Sequence, residues 1–291
     1  MTDANRSWRP RRSVLYMPGA NARAMEKSRE IDCDTVIFDL EDAVAPDAKA
    51  TARTQVVAAV QAGGFGHREV VVRVNGLDTP WGRDDVAAVA ALPIGALLVP
   101  KIEAVEQVQA YERLLAGTRA AGVPIWAMIE TPRGVLCIER LLAATQRVEV
   151  VVLGTSDLVK DLRARHTPNR ESVVSALSHC VLAARAFDRV VLDGVHLDFK
   201  DQASFERVCR QGRDLGFDGK TLIHPTQVEV ANAVFGPSPQ DIEQAHLVVA
   251  AWAEAQRAGK GVAVVNGRLV ENLHVVEAER VLAFADALAK R

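Results

Sequence analysis

The sequence lacks a cysteine framework. Its four cysteines, Cys33, Cys137, Cys180 and Cys209, are widely spaced and none forms a CxxC pair. That spacing excludes a zinc ribbon or a disulfide scaffold and fits a reducing compartment. Charge of one sign is also missing: the formal net charge is −2, which argues against a protein that binds nucleic acid by neutralising phosphates. No apolar run approaches the length of a membrane span. The opening stretch MTDANRSWRPRR has none of the apolar core of a secretory signal, so a cytoplasmic location is expected. There is no low-complexity tract. What remains is an ordinary globular composition, 49% hydrophobic and 25% charged over 291 residues. Such a chain can bury a full core as one large or two modest domains.

Short apolar runs rich in β-branched residues recur, each followed by a helical pattern. Eight strands are expected, at Ser13–Met17, Thr35–Asp39, Glu69–Val74, Ala96–Pro100, Pro124–Ile129, Glu149–Leu153, Val190–Asp193 and Thr221–His224. Most are almost wholly apolar, as strands covered on both faces must be. Helical patterns lie between them, among them Asp47–Gln61, Val105–Ala120, Arg170–Ala186 and Ser204–Leu215. Eight strand–helix units over about 230 residues predict a (β/α)8 TIM barrel. An open doubly wound sheet is the competing architecture, but the first turn, Met17–Pro18–Gly19–Ala20–Asn21, has no GxGxxG. The barrel is expected to occupy residues 1–235, because Gly236–Pro237–Ser238–Pro239 punctuates the chain there. Residues 236–291 then read as a helix (Gln240–Arg257), a hairpin around Asn266–Gly267 and a last helix (Val275–Ala289). This extension is too short for an independent core and is expected to pack on its own barrel or a neighbour's.

In a barrel, chemistry gathers where the strands end. Seven successive strand ends carry ionisable residues. They include Asp39–Leu40–Glu41–Asp42, Arg73–Val74–Asn75, Lys101–Ile102–Glu103, Glu130–Thr131, Thr155–Ser156–Asp157, Asp193–Gly194–Val195–His196 and His224. Glu130 and Asp157, 27 residues apart, should end adjacent strands. Two carboxylates without a nearby His or Cys suit a hard divalent cation such as Mg²⁺; the competing reading pairs each with a Lys or Arg. Arg73 could fork onto a substrate carboxylate or, equally, form a structural pair with Asp39, Glu41 or Asp42. An early basic run, Arg11, Arg12, Arg23, Lys27 and Arg29, would suit a polyanion such as the pyrophosphate of CoA, or simply a solvated helix face. His166, His179 and His274 have no partner spacing and read as surface or packing residues.

Taken together, RSVLYMPG, VIFDLEDAV, VRVNGLDTPWG, VPKIE, IETPRGV, LGTSDL, DGVHLD and GKTLIHPTQ resemble the citrate lyase β-subunit-like family of the HpcH/HpaI aldolase superfamily, which includes malyl-CoA and citramalyl-CoA lyases. The resemblance runs from about Arg12 to the last helix. It implies a (β/α)8 barrel, Mg²⁺ at Glu130 and Asp157, carboxylate binding at Arg73, CoA thioester substrates, and a homotrimer or hexamer. It also implies an acidic residue in the C-terminal hairpin that reaches a neighbouring subunit's site. Glu271 stands where that family has aspartate, and Leu273 where it has proline.

The activity expected is a reversible, Mg²⁺-dependent Claisen-type cleavage of a carboxylated 3-hydroxyacyl-CoA to acetyl-CoA and a 2-oxo acid. Arg73 would anchor the carboxylate, Glu271 would act as the acid at the acetyl carbon, and Glu41 and Asp42, with Asp39, would orient the groups around the metal. Arg12, Arg23 and Lys27 are the candidate CoA contacts. Three alternatives stay open: a subunit acting on an acyl-carrier thioester, a CoA-independent pyruvate-type aldolase, and a barrel kept as a scaffold. The choice among citramalyl-, malyl- and citryl-CoA turns on one small substituent, worth only a few kcal/mol in a pocket.

Overall fold

The computed structural model describes residues 9–291. Met1–Trp8, part of the polar N-terminal stretch, lie outside the described residues. Eight strands close in sequence order into a parallel barrel: β1 (Ser13–Pro18), β2 (Thr35–Asp39), β3 (Glu69–Arg73), β4 (Ala96–Val99), β5 (Ile125–Ile129), β6 (Val148–Leu153), β7 (Val190–Asp193) and β8 (Gly219–Leu222). Pairing of β1 with β8, Val14 opposite Thr221, shuts it. The expected TIM barrel is therefore the observed fold. Its helices are α1 (Ala22–Lys27), α2 (Lys49–Ala62), α3 (Gly82–Val89), α4 (Val105–Leu115), α5 (Pro132–Ala144), α6 (Thr155–Asp161), α7 (Val174–Ala186), α8 (Gln202–Leu215) and α9 (Val228–Phe235).

Inside the barrel, Val14, Ile37, Val71, Ala96, Leu98, Trp126, Met128, Val150, Val152 and Leu192 pack into one buried cluster. Each Val, Ile, Leu and Met among them contributes on the order of 1.5–3 kcal/mol by leaving water. The two-residue period of a strand fixes which side chains come next along the inside. Two positions beyond Ile37, Val71, Met128 and Val152 stand Asp39, Arg73, Glu130 and Gly154. The apolar fill thus gives way to a charged layer at the C-terminal ends of the strands.

Differences from the sequence reading have local causes. Helix α4 stops at Leu115 rather than Ala120, because Ala116 leaves the helical region and Gly117 takes a φ of 74°. Helix α7 starts at Val174 rather than Arg170, which sits at a φ of 58°. Strand β8 lies two residues earlier than expected, which puts Lys220 in the barrel wall. There Lys220 Nζ meets Asp193 Oδ2 at 2.8 Å, and Arg170 Nη1 meets Asp193 Oδ1 at 2.7 Å.

The described residues form two compact units, Arg11–Asn232 and a second made of Ala233–Arg291 with Arg9 and Pro10. The second contains α10 (Pro239–Arg257), a hairpin of β9 (Ala263–Val265) and β10 (Arg268–Val270), and α11 (Asn272–Ala289). Ser238 caps α10, its Oγ accepting from the Asp241 N–H at 3.1 Å while Pro239 occupies the first turn. Asn266 and Gly267 both have positive φ, 50° and 74°, as a two-residue hairpin turn of the right twist requires. Contrary to the expectation that this segment is too short for an independent core, Ala245, Val248, Val265, Val270 and Val275 form one of its own, because α10 packs against both the hairpin and α11. Among the described residues no helix is long and apolar enough to cross a membrane.

Candidate active site

The charged layer at the strand ends is organised around Arg73. Its guanidinium forks onto Asp39, with Nε to Oδ1 and Nη2 to Oδ2 both at 2.6 Å. Asp39 is fully buried and its two oxygens also accept the main-chain N–H groups of Glu41 (2.9 Å) and Ala43 (3.0 Å). The remaining nitrogen of Arg73, Nη1, contacts Glu41 Oε2 at 2.8 Å and Asp42 Oδ2 at 3.3 Å. Tyr16, on the inward parity of β1, has its ring under the guanidinium, 4.9 Å from ring centre to Cζ. Burial raises the pKa of the Tyr16 hydroxyl, so it remains a proton-bearing donor. Burial also pushes the Glu41 carboxyl upward, whereas at Asp42 the charge of Arg73 overrides burial and holds the carboxyl below its usual range.

Glu41 shares its second oxygen with Lys101, whose Nζ stands 2.6 Å away. Lys101 follows β4 in the left-handed region, φ 49°, and its own N–H donates to Glu130 Oε1 at 2.9 Å. Its ammonium is 3.8 Å from Asp157 Oδ2. Glu130 is 2% exposed. Burial, reinforced by the neighbouring charge of Glu41, pushes its carboxyl up to about 7. Room for it comes from Gly154: a methyl group there would sit 2.3 Å from Glu130 Cβ and 2.5 Å from Oε2. Asp157 lies in the first turn of α6 with its side chain 29% exposed, and Lys101 links it to Glu130, facing the one with its ammonium and the other with its N–H.

The site thus brings Arg73, Glu41, Asp42, Glu130 and Asp157 to one mouth. Among the described residues no three His, Cys, Asp or Glu side chains gather into a metal cluster. Glu130 and Asp157 nonetheless offer a hard, oxygen-only donor pair, and a positive charge already stands among them in the form of the Lys101 ammonium. That is the electrostatic setting a divalent cation fits.

Other expected residues fall elsewhere. Arg12 precedes β1, at the opposite end of the barrel, and its guanidinium is bound to the buried Asp34 (Nη2 to Oδ1, 2.9 Å). It is corrected from a CoA contact to a structural ion pair. Its neighbour Arg11 is likewise held by Glu69 and Glu149, at 2.7 Å each. Arg23 and Lys27 are exposed on α1, which follows β1 at the mouth end. Glu271 is exposed at the N-terminus of α11, and its N–H donates to His274 Nδ1 at 3.0 Å, a partnership that spacing did not suggest. Sequence reasoning assigned no role to Tyr16, Lys101 or Gly154. The inward parity of β1 and the strand-end position of the other two were the available signals.

Comparison with known proteins places the chain in a family. The family model described as HpcH/HpaI aldolase/citrate lyase matches residues 12–225. The chain belongs to that family. As a member it is an enzyme of the carbon–carbon lyase type. A protein named (3S)-malyl-CoA thioesterase from Cereibacter sphaeroides is 48% identical over 96% of both chains. The citrate lyase subunit beta of Escherichia coli is 33% identical, over 97% of this chain and 95% of its own. Among solved structures, protein CitE from Mycobacterium tuberculosis in complex with magnesium, acetoacetate and coenzyme A superposes with a TM-score of 0.77 at 28% identity, covering 96% of this chain and 99% of the other.

Proposed function

We propose that this member of the family binds Mg²⁺ through Glu130 and Asp157 and cleaves a carboxylated 3-hydroxyacyl-CoA of the malyl-CoA class to acetyl-CoA and a 2-oxo acid. The observation that carries the reading is two carboxylates sharing Lys101 near a buried arginine whose Nη1 alone faces an exposed partner, Asp42. Mg²⁺ held there would supply Lewis acidity to the hydroxyl and carboxylate oxygens of the substrate. The family relationship and the magnesium and coenzyme A in the CitE structure support the same assignment.

Arg73 meets the substrate carboxylate through Nη1, because Asp39 occupies the forked edge. Tyr16, its ring beneath, holds the guanidinium. Lys101 keeps Glu41 and Glu130 in register and offsets their repulsion. Arg23 and Lys27 supply the positive surface for CoA phosphates. Glu271 delivers a proton to the carbon that becomes the acetyl methyl, from a neighbouring copy in a homotrimer or hexamer. The extension, residues 236–291, belongs to that interface. Val264 and Leu269, paired across the hairpin, and Leu273 leave an exposed apolar face beside Glu271, which favours this reading.

A second outcome is thioester hydrolysis to the hydroxy acid and free CoA, favoured by the name of the 48% identical relative. One experiment separates the two. The protein is incubated with malyl-, citramalyl- and citryl-CoA, with Mg²⁺ and with EDTA, and all products are quantified. Acetyl-CoA and 2-oxo acid in equal amounts, lost in EDTA, are expected. Free CoA with intact hydroxy acid assigns hydrolysis instead, and full turnover in EDTA refutes the metal assignment.

A further inference from the structure

Behind the site lies a second polar network that the proposed chemistry does not use. Lys49 begins α2 and is buried. Its Nζ donates to the main-chain oxygens of Leu40 (2.8 Å) and Glu41 (2.7 Å) and to Asn75 Oδ1 (2.8 Å). The ring of Trp81 covers it at 5.2 Å. All three hydrogen-bond acceptors are neutral oxygens. A buried cation held this way is costly, so what it holds in place matters. Asn75 extends the chain outward: Nδ2 donates to Leu40 O (2.7 Å) and to the fully buried Asp85 Oδ2 (2.6 Å), and Arg53 Nε closes on Asp85 Oδ1 at 2.7 Å. Asn75 and Trp81 belong to the VRVNGLDTPWG segment that also carries Arg73.

We infer that Lys49 is a positioning residue that acts through Glu41: by fixing the Leu40–Glu41 main chain from behind, it sets the carboxylate that joins Arg73 to Lys101. The turn itself does not need the ammonium. Leu40 O also accepts from Asn75 Nδ2, and Glu41 O accepts from the Val44 N–H at 3.0 Å. Lys49 therefore determines where the Glu41 carboxylate stands rather than whether the segment folds. The Glu41 contacts it governs are short, 2.8 Å to Arg73 and 2.6 Å to Lys101, and short charged contacts tolerate little displacement.

The test is a double-mutant cycle on the Mg²⁺-loaded protein with malyl-CoA, using Lys49→Met, Glu41→Gln and the pair. Lys49→Met is expected to lower kcat/KM about 10- to 100-fold while thermal unfolding stays cooperative. If Lys49 acts through Glu41, the double variant is no worse than Glu41→Gln alone. Losses that multiply, or wild-type kinetics in Lys49→Met, overturn the inference. Should Lys49→Met not accumulate in folded form, Trp81→Leu takes its place. A smaller loss that again fails to multiply with Glu41→Gln supports the inference, and a multiplying one overturns it. The kinetic arm rests on the proposed function, so a wild-type protein inert toward every thioester would refute that reading instead. The crystal structure of Lys49→Met, or of Trp81→Leu, then decides this one. Glu41 should move out of hydrogen-bond reach of Arg73 Nη1, and an unmoved carboxylate overturns the inference.

Discussion

Replacing Arg73 with lysine keeps the charge and removes the geometry. The wild-type guanidinium commits Nε and Nη2 to Asp39 at 2.6 Å each and reaches Glu41 and Asp42 through Nη1 at 2.8 and 3.3 Å. A lysine offers one nitrogen on a shorter arm, so it can stay with Asp39 or reach forward, but not both. Asp39 keeps its two main-chain donors and the barrel wall survives. What is lost is the forward contact, the one proposed above to hold a substrate carboxylate. A charged hydrogen bond contributes about 1.5–3 kcal/mol, or roughly 10- to 150-fold in kcat/KM. On that proposal the same contact also positions the reacting carbon, so both a raised KM and a lowered kcat are expected. Steady-state kinetics with the best thioester, alongside circular dichroism to show an intact fold, make the measurement. Wild-type constants in Arg73→Lys would mean that this buried arginine only neutralises Asp39, Glu41 and Asp42.

The same geometry sets further expectations. Gly154→Ala should displace Glu130, since the new methyl would overlap its Cβ at 2.3 Å; isothermal titration should find Mg²⁺ affinity reduced at least tenfold, and unchanged affinity would remove Glu130 from the metal site. Glu271→Gln should lose both cleavage and deuterium exchange at the acetyl-CoA methyl in D₂O; mixing it with Asp157→Ala should restore part of the activity, and no rescue despite confirmed subunit exchange would place each site within one chain. Neutralising Arg23 and Lys27 together should raise the KM for CoA thioesters and flatten its salt dependence; an unchanged salt profile returns them to a solvated helix face. At Asp193, burial works to raise the carboxyl, but Lys220 and Arg170 hold it below the ordinary value. Its stabilisation is therefore complete above the ordinary carboxylate pKa and is lost as pH falls through the lowered one. Asp193→Asn should cost about 3–5 kcal/mol near neutrality, and denaturant melts should show the difference shrinking in acid; a difference independent of pH would refute the ion-pair account.

The sequence by itself determined the architecture and most of the mouth. Strand and helix periodicities are local, and eight strands buried on both faces leave a closed parallel barrel as the economical solution. The same alternation made the strand ends legible, so Arg73, Glu41, Asp42, Glu130 and Asp157 could be named before any coordinate. Only the closed structure decided how they divide their contacts. That Arg73 turns its fork to Asp39 depends on the register that sets Asp39 opposite Arg73. That Arg12 is tied to Asp34 reflects the end of the strand at which it lies, which charge clustering along the chain does not distinguish. Tyr16 lies under Arg73, and Lys49 behind the site bonds Asn75, because the fold brings a ring on β1 and an ammonium on α2 to the segment that begins with β3. A one-dimensional reading sees which residues carry charge. Burial, which makes each pairing costly to break, is a property of the folded chain.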